Sequence, residues 1–203
     1  MISLVVITFN QQEQLRHTLP MWLTQEDAVF DICVVDKNSE DDTVHMLEDM
    51  EEQHPNLHHV TIPRTAHDID KDRLAVMLGI RGALCDQIIL TRPQVVPPSP
   101  RWLSDITDVW SAEKTILLIL EKNGKRLSLS RHLALFMARH GHARWALGQT
   151  IGYSRRFFMD NGGFPGNGNK KLSTFNALVR YFSKSDNTQT ITDAKHTLHC
   201  MVP

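Results

Sequence analysis

Long hydrophobic runs, paired cysteines and an excess of either charge are what this chain lacks. Its apolar runs, such as 116–120, fall far short of the ~20 residues a membrane span needs. The opening Met1-Ile2-Ser3-Leu4-Val5-Val6-Ile7 carries no basic leader and its apolar character stops at Thr8, so it reads as a strand and not as a signal peptide. Bases number 22 against 23 acids, intermixed, for a net charge of −1. That excludes an electrostatic case for nucleic acid or for an anionic membrane surface. The three cysteines, Cys33, Cys85 and Cys200, are odd in number and form no Cys-x-x-Cys pair. They read as free thiols in a reducing cytoplasm. A chain of 203 residues is expected to be one domain, 1–203, with a core of ordinary size.

What is present is an alternation of strand and helix. Residues 2–7 form a β-branched run suited to a strand covered on both faces. Leu15, Leu19, Trp22 and Leu23 recur at helical spacing. Residues 32–35 give a second strand, followed by a helix from about Asp41 with Val44, Leu47 and Met50 on one face. Asp41 and Asp42 suit the positive end of that helix. A third strand spans 57–62 and ends at Pro63; a helix opens over 68–72, with Leu74, Met77 and Leu78 expected inward; 87–90 is a fourth strand. Repeated strand–helix–strand units predict a parallel sheet with helices on both faces. Ligands of such sheets sit at the carboxyl ends of the strands, which puts the turns at 8–10, 36–39 and 91–94 on one rim.

The second half is more mixed. Pro93, Pro97, Pro98 and Pro100 form an extended connector that excludes helix, and Arg101-Trp102-Leu103 opens the next helix. Residues 115–120 and 126–129 are expected to pair as antiparallel strands around the Asn123-Gly124 turn. Leu133, Phe136 and Met137 mark a helix, 145–152 a strand, and Leu172, Phe175, Leu178, Val179 and Phe182 a last amphipathic helix. There is no internal repeat.

Four segments, in order, carry a resemblance. They are Val5-Val6-Ile7-Thr8-Phe9-Asn10 with Leu15 and Leu19; Val34-Val35-Asp36-Lys37-Asn38-Ser39-Glu40-Asp41-Asp42-Thr43; Ile88-Ile89-Leu90 with Val95-Val96-Pro97-Pro98 and Trp102-Leu103; and Tyr153-Ser154-Arg155-Arg156 through Asn161-Gly162-Gly163-Phe164. Together they resemble the family-2 glycosyltransferases. The resemblance implies a GT-A fold, an α/β Rossmann-like sandwich with a mostly parallel central sheet. It also implies a nucleotide-diphospho-sugar donor such as a UDP-sugar, and usually Mn2+ or Mg2+.

The departures from that family are chemical. The second Asp of its Asp-Asp turn accepts a hydrogen bond from the donor base; here Lys37 stands there, with donors only. Asp36 remains able to contact the base, or equally to bond its own turn amides. The family's Ala-Arg-Asn-x-Gly is matched by Ala75-Val76-Met77-Leu78-Gly79, whose Val76 and Met77 pack but offer no hydrogen bond; Arg73 nearby is a conceivable substitute. The Asp-x-Asp that holds the cation is replaced by Thr91-Arg92-Pro93-Gln94, without a carboxylate. Hard cations want oxygen ligands, so no metal site is expected. Arg92 could meet a diphosphate in its place, or be an ordinary exposed arginine on a proline-rich loop. The carboxylate that follows the family's Gly-Gly-Phe is missing too: no Asp or Glu occurs from 161 to 185. Loss of a general base costs roughly 10²–10⁴ in rate.

Other signals weigh less. The segment 163–171 is not a P-loop. His132, His140 and His142 suit a helix end better than a metal. His196 and His199 lie near where GT-A enzymes place a late metal-ligating His, and the Arg155-Arg156 pair reads as solvated or phosphate-binding. The site residues expected are therefore Thr8, Asp36 and Arg92 for the nucleotide, none for metal and none for catalysis. Two functions follow. One is a degenerate glycosyltransferase-like domain, a pseudoenzyme or accessory subunit that meets a partner glycosyltransferase or its own copy, in the cytoplasm or at the inner-membrane periphery. The other is an active, metal-independent transferase in which Arg92 and Lys37, Lys170 and Lys171 supply positive charge.

Overall fold

Unbroken β-branched runs need cover on both faces, and a sheet sandwiched between two helical layers supplies it. The computed structural model describes residues 1–64, 70–111, 113–122, 129–140, 143, 145–163 and 174–201. The elements are β1 (Ile2–Thr8), α1 (Gln12–Leu23), β2 (Phe30–Asp36), α2 (Thr43–Gln53), β3 (Leu57–Thr61), α3 (Lys71–Gly82), β4 (Gln87–Thr91), β5 (Val95–Val96) and α4 (Trp102–Val109), then β6 (Ile116–Ile119), β7 (Glu121–Lys122), α5 (Leu129–Arg139), β8 (Ile151–Ser154), α6 (Arg155–Asp160), α7 (Thr174–Phe182), β9 (Thr188–Ile191) and β10 (Leu198–Cys200). Among the described residues the main sheet has seven strands, ordered β3-β2-β1-β4-β8-β6-β9. Only β8 runs against the rest.

Alternate residues of β1 serve opposite cores. Ile2, Leu4 and Val6 meet Leu15, Leu19 and Trp22 of α1, Met46 and Leu47 of α2, and Trp102, Leu103 and Ile106 of α4. Val5 and Ile7 meet Ala75, Val76 and Ile80 of α3, and Phe158, Phe175 and Leu178 of α6 and α7. A second, three-stranded sheet, β5-β10-β7, stands beside the first. Trp22 and Trp102, edge to face at 5.5 Å, anchor its junction: Trp22 Nε1 donates to the Val95 carbonyl at 3.0 Å and Trp102 Nε1 to that of His196 at 2.9 Å.

The expected mostly parallel α/β sheet is the one observed; several local expectations are corrected. The antiparallel partner expected for β6 at 126–129 is not found among the described residues. Residues 123–128 lie outside the described residues, residue 129 opens α5, and β6 is flanked by β8 and β9. Its four residues are all buried, so it takes a central place with neighbours on both edges. The strand expected over 145–152 starts only at Ile151, because the preceding stretch bonds elsewhere: Ala146 N donates to Asn176 Oδ1 at 3.0 Å. On α3 the inward face is Ala75, Val76, Gly79 and Ile80, and Leu74, Met77 and Leu78 flank it half-buried. The cause is close approach to the sheet, which favours the smaller residues. On α5, Leu133 and Phe136 are exposed, and it is Ala138 that is buried. Strands β7, β9 and β10 were not foreseen.

Candidate nucleotide-binding rim

Register brings the expected site residues to one edge. Thr8 is the partner of Asp36 across β1 and β2, and Val6 is the partner of Thr91 across β1 and β4. Strands β1 and β2 therefore end level and β4 two residues short of them, with Arg92 next in chain. The turns beyond β1 and β2 are locked to each other. Asn10, in the left-handed region at φ 51°, donates its N–H to Ser39 Oγ at 2.8 Å, and its Oδ1 accepts from Glu40 N at 2.8 Å. Asp41 accepts from Gln12 N at 3.1 Å and from the Thr43 hydroxyl at 2.5 Å. Burial alone would raise the Asp41 carboxyl, but these hydrogen bonds outweigh it and hold it below the usual range.

Asp36 is fully buried. One carboxylate oxygen accepts from Asn38 N at 3.1 Å and Ser39 N at 3.0 Å, and the other takes the Ser39 hydroxyl. This is the self-bonded turn that a strand-end Asp favours, with Asn38 at φ 69° completing it. Thr8 is equally buried, and its hydroxyl has no partner among the described residues. A buried hydroxyl left without a partner carries a free-energy cost of about 1–3 kcal/mol, which a ligand reaching it would relieve.

Arg92 is not an exposed loop arginine. Its side chain is only 19% exposed and its Nη2 lies 3.7 Å from Asp72 Oδ1. Its guanidinium carbon is 5.1 Å from the centroid of Phe175. The same Asp72 oxygen accepts from Lys37 Nζ at 2.8 Å, and Lys37 in turn lies 5.6 Å from the centroid of Phe9. Two cations thus share one carboxylate, each against an aromatic face. Burial would raise the Asp72 carboxyl; the bond and charge of Lys37, then Arg92, prevail and hold it low. Burial conversely weakens the hold of Arg92 on its proton, and Asp72 partly restores it; a guanidinium stays charged all the same. Arg73 is directed to Asp70, 3.4 Å away.

The loop after β4 is tied on both sides. Thr91 and Thr150 hydroxyls are 2.8 Å apart, Gln94 Nε2 donates to Gln149 Oε1 at 2.6 Å, and Met201 N donates to the Gln94 carbonyl at 2.8 Å. Beside it lies a carboxylate that sequence reasoning missed, Glu121, 2% exposed. A Cβ on Gly148 would come within 2.3 Å of its Cδ, so the glycine leaves the space the carboxylate fills. A Glu that merely follows an apolar run gives no sequence signal of such a place.

The remaining candidates separate. His196 is buried with Nδ1 2.7 Å from Asp193 Oδ1, while His199 is exposed on β10 opposite Val96. Burial would raise the Asp193 carboxyl, and the His196 bonds more than offset it. Arg155 caps the end of α3, donating to the Ala83 carbonyl at 2.9 Å. His140 bonds the Phe136 carbonyl at 2.8 Å. His142, Phe164, Lys170 and Lys171 lie outside the described residues. Among the described residues no group of three or more His, Cys, Asp or Glu is arranged to hold a metal, nor is any helix long and apolar enough to cross a membrane.

A mostly parallel sheet between two helical layers, with a small second sheet beside the rim, defines the GT-A class. Over 100% of its length the chain superposes on 57% of the mannosyltransferase PcManGT from Pyrobaculum calidifontis, solved with GDP-Man and Mn2+, at a TM-score of 0.76 and 16% identity. Over 98% of its length it superposes on 60% of the S. aureus TarS 1–349 structure, at 0.74 and 18%. For the UDP-GlcNAc complex of the same TarS segment the shares are 100% and 58%, the TM-score 0.72 and the identity 18%. The chain thus spans less than two thirds of the length of these neighbours. Residues 3–89, from β1 into β4, match Glycosyl transferase family 2, so this part of the chain is similar to that family. No curated protein matches it significantly.

Proposed function

We propose that the chain is a family-2-like domain that binds a nucleoside diphosphate or nucleotide sugar at its rim and does not transfer sugar on its own. It acts as a pseudo-glycosyltransferase or accessory subunit in glycan biosynthesis, in the cytoplasm or at the inner-membrane periphery, beside an active glycosyltransferase or a second copy of itself. One observation carries this reading: beyond β4, where the family holds its cation, the chain presents Arg92, tied to Asp72. The residues there do not fit Mn2+ or Mg2+. Residues 91–94 offer no carboxylate, the Asp72 carboxylate beside Arg92 is engaged by two cations, and hard cations require several oxygen ligands. No chemical step is therefore derived through a metal.

Thr8 and Asp36 take the base and ribose in this reading, and Arg92 faces the diphosphate. The buried, unpartnered Thr8 hydroxyl supports a ligand there. So do the nucleotide ligands of the neighbouring folds, GDP-Man in one and UDP or UDP-GlcNAc in the other. A second reading, metal-independent transfer to an acceptor hydroxyl, is favoured by the surplus of cations over acids in the Lys37–Asp72–Arg92 group.

Calorimetric titration with UDP and a panel of nucleotide sugars, each with and without manganese, separates the two when paired with an assay for released sugar. The proposal expects saturable binding that manganese does not change, weakened by Asp36→Ala, with no sugar released. Turnover that requires no metal would install the second reading. Binding and turnover that both require manganese would refute the two together.

A further inference from the structure

We propose that Asp72 is an internal stand-in for a diphosphate: it occupies a metal-free phosphate site made by Lys37 and Arg92, and yields it when a nucleoside diphosphate arrives. The inference rests on reading the rim as a nucleotide site. The charge balance comes first. Two cations share one carboxylate, and the longer contact, 3.7 Å to Arg92, is not a full hydrogen bond. The layering comes second. The Lys37 and Arg92 side chains are each 19% exposed while that of Asp72 is 46% exposed, so the cations are set inside and the anion lies outermost.

The cations also have supports that do not depend on Asp72. The Arg92 guanidinium lies against Phe175 and the Lys37 ammonium against Phe9, contacts that leave N–H donors free. The carboxylate, for its part, does not cap its helix. The start of α3 is capped by Asp70, whose Oδ1 accepts from Asp72 N at 3.1 Å and Arg73 N at 3.2 Å. Asp72 can therefore turn outward without loosening the first turn. A diphosphate carries more charge and more acceptor oxygens than a carboxylate, and can reach ammonium and guanidinium together. Binding then exchanges one ion pair for several charge-assisted hydrogen bonds. Its affinity is set by how much of the exchange Asp72 resists.

The test is calorimetric titration of wild type, Asp72→Asn and Lys37→Met with inorganic pyrophosphate, UDP and uridine, with EDTA present throughout. Removing one unit of negative charge at contact distance should tighten pyrophosphate and UDP on the order of tenfold in Asp72→Asn and leave uridine unchanged. Lys37→Met, which keeps the Asp72–Arg92 pair, should weaken both phosphates by about the same factor. It decides the matter if Asp72→Asn fails to fold. Equal or weaker pyrophosphate binding in folded Asp72→Asn, or unchanged binding in Lys37→Met, would overturn the inference and make Asp72 a structural tie. If uridine and UDP still bind in that case, the nucleotide reading stands without the inference. If neither binds any of the three proteins, both fall.

Discussion

Gly79 decides how closely α3 lies on the sheet, and so where Asp72 meets the rim. A methyl at this position would lie 2.3 Å from Val5 Cγ1 and 3.2 Å from Val35 Cγ2. Carbon atoms pack best at about 3.5–4.0 Å, so the helix or the sheet must yield by more than 1 Å, and both neighbours, Val5 and Val35, are fully buried. Overpacking of that kind costs about 1–3 kcal/mol, and the severity of the contact argues for the upper end. Alanine returns about 1 kcal/mol of helix propensity. Gly79→Ala should therefore destabilise by roughly 2 kcal/mol net, or about 4–8 °C in Tm for a chain of this size. Gly82→Ala is the matched control. Its methyl would meet Cys33 Sγ at 3.2 Å, a contact relieved by a shift of a few tenths of an ångström, so its effect should be near zero. Urea denaturation followed by circular dichroism reads both midpoints. Equal midpoints for the two variants, or a Gly79→Ala protein more stable than wild type, would refute the close-approach reasoning.

Thiol chemistry and acid stability give two further tests. Burial, with the charges of Asp31 and Glu51, pushes the Cys33 thiol up to about 12, and burial raises Cys85 as well; a thiol-specific reagent at mildly alkaline pH should modify only Cys200 quickly until denaturant exposes the others. Rapid loss of the Cys33 thiol in folded protein would contradict this burial. Asp41, Asp72 and Asp193 all have folded pKa values below the ordinary 3.8; a depressed carboxyl contributes stability that is fully present above the unfolded value and is lost as pH falls through the folded one. The urea midpoint should thus hold from neutral pH to about pH 5 and drop below pH 4. Asp72→Asn should drop less, by no more than about 1 kcal/mol given its solvent exposure, and a steeper drop in the variant would refute that assignment.

Much of the fold was legible because three of its first four strands are written twice over. Residues 4–7, 32–35 and 88–90 are apolar on both faces, which only a covered sheet accepts, and the short helices between them force parallel neighbours. Strand ends then put the turns at 8–10, 36–39 and 91–94 on one rim, and the family resemblance singled out Thr8, Asp36 and Arg92 within them. What the chain concealed was three-dimensional. Thr188-Gln189-Thr190 is polar and alternates weakly, yet β9 closes the sheet because Ile191 enters the core and β6 offers a free edge. The inward face of α3 turned on the size of residue 79, which periodicity alone does not weigh. Arg92 looked solvated because Phe175 and Asp72, its two supports, stand far from it in sequence. Asp36 was the reverse case: its turn chemistry is local, and the self-bonded arrangement was one of the two readings its residues allowed.

Strand β10 carries a consequence for how this molecule is born. It lies antiparallel to β5 and parallel to β7, and Met201 N fastens the carbonyl of Gln94. The 91–94 loop is therefore held by residues synthesised long after it. Contacts of such long separation are slow to form, and on the ribosome the earlier strands can pair while this loop still awaits its clamp. This edge of the sheet matures last. A nascent or truncated chain ending before residue 198 would keep most of its sheet and still present an unfinished rim.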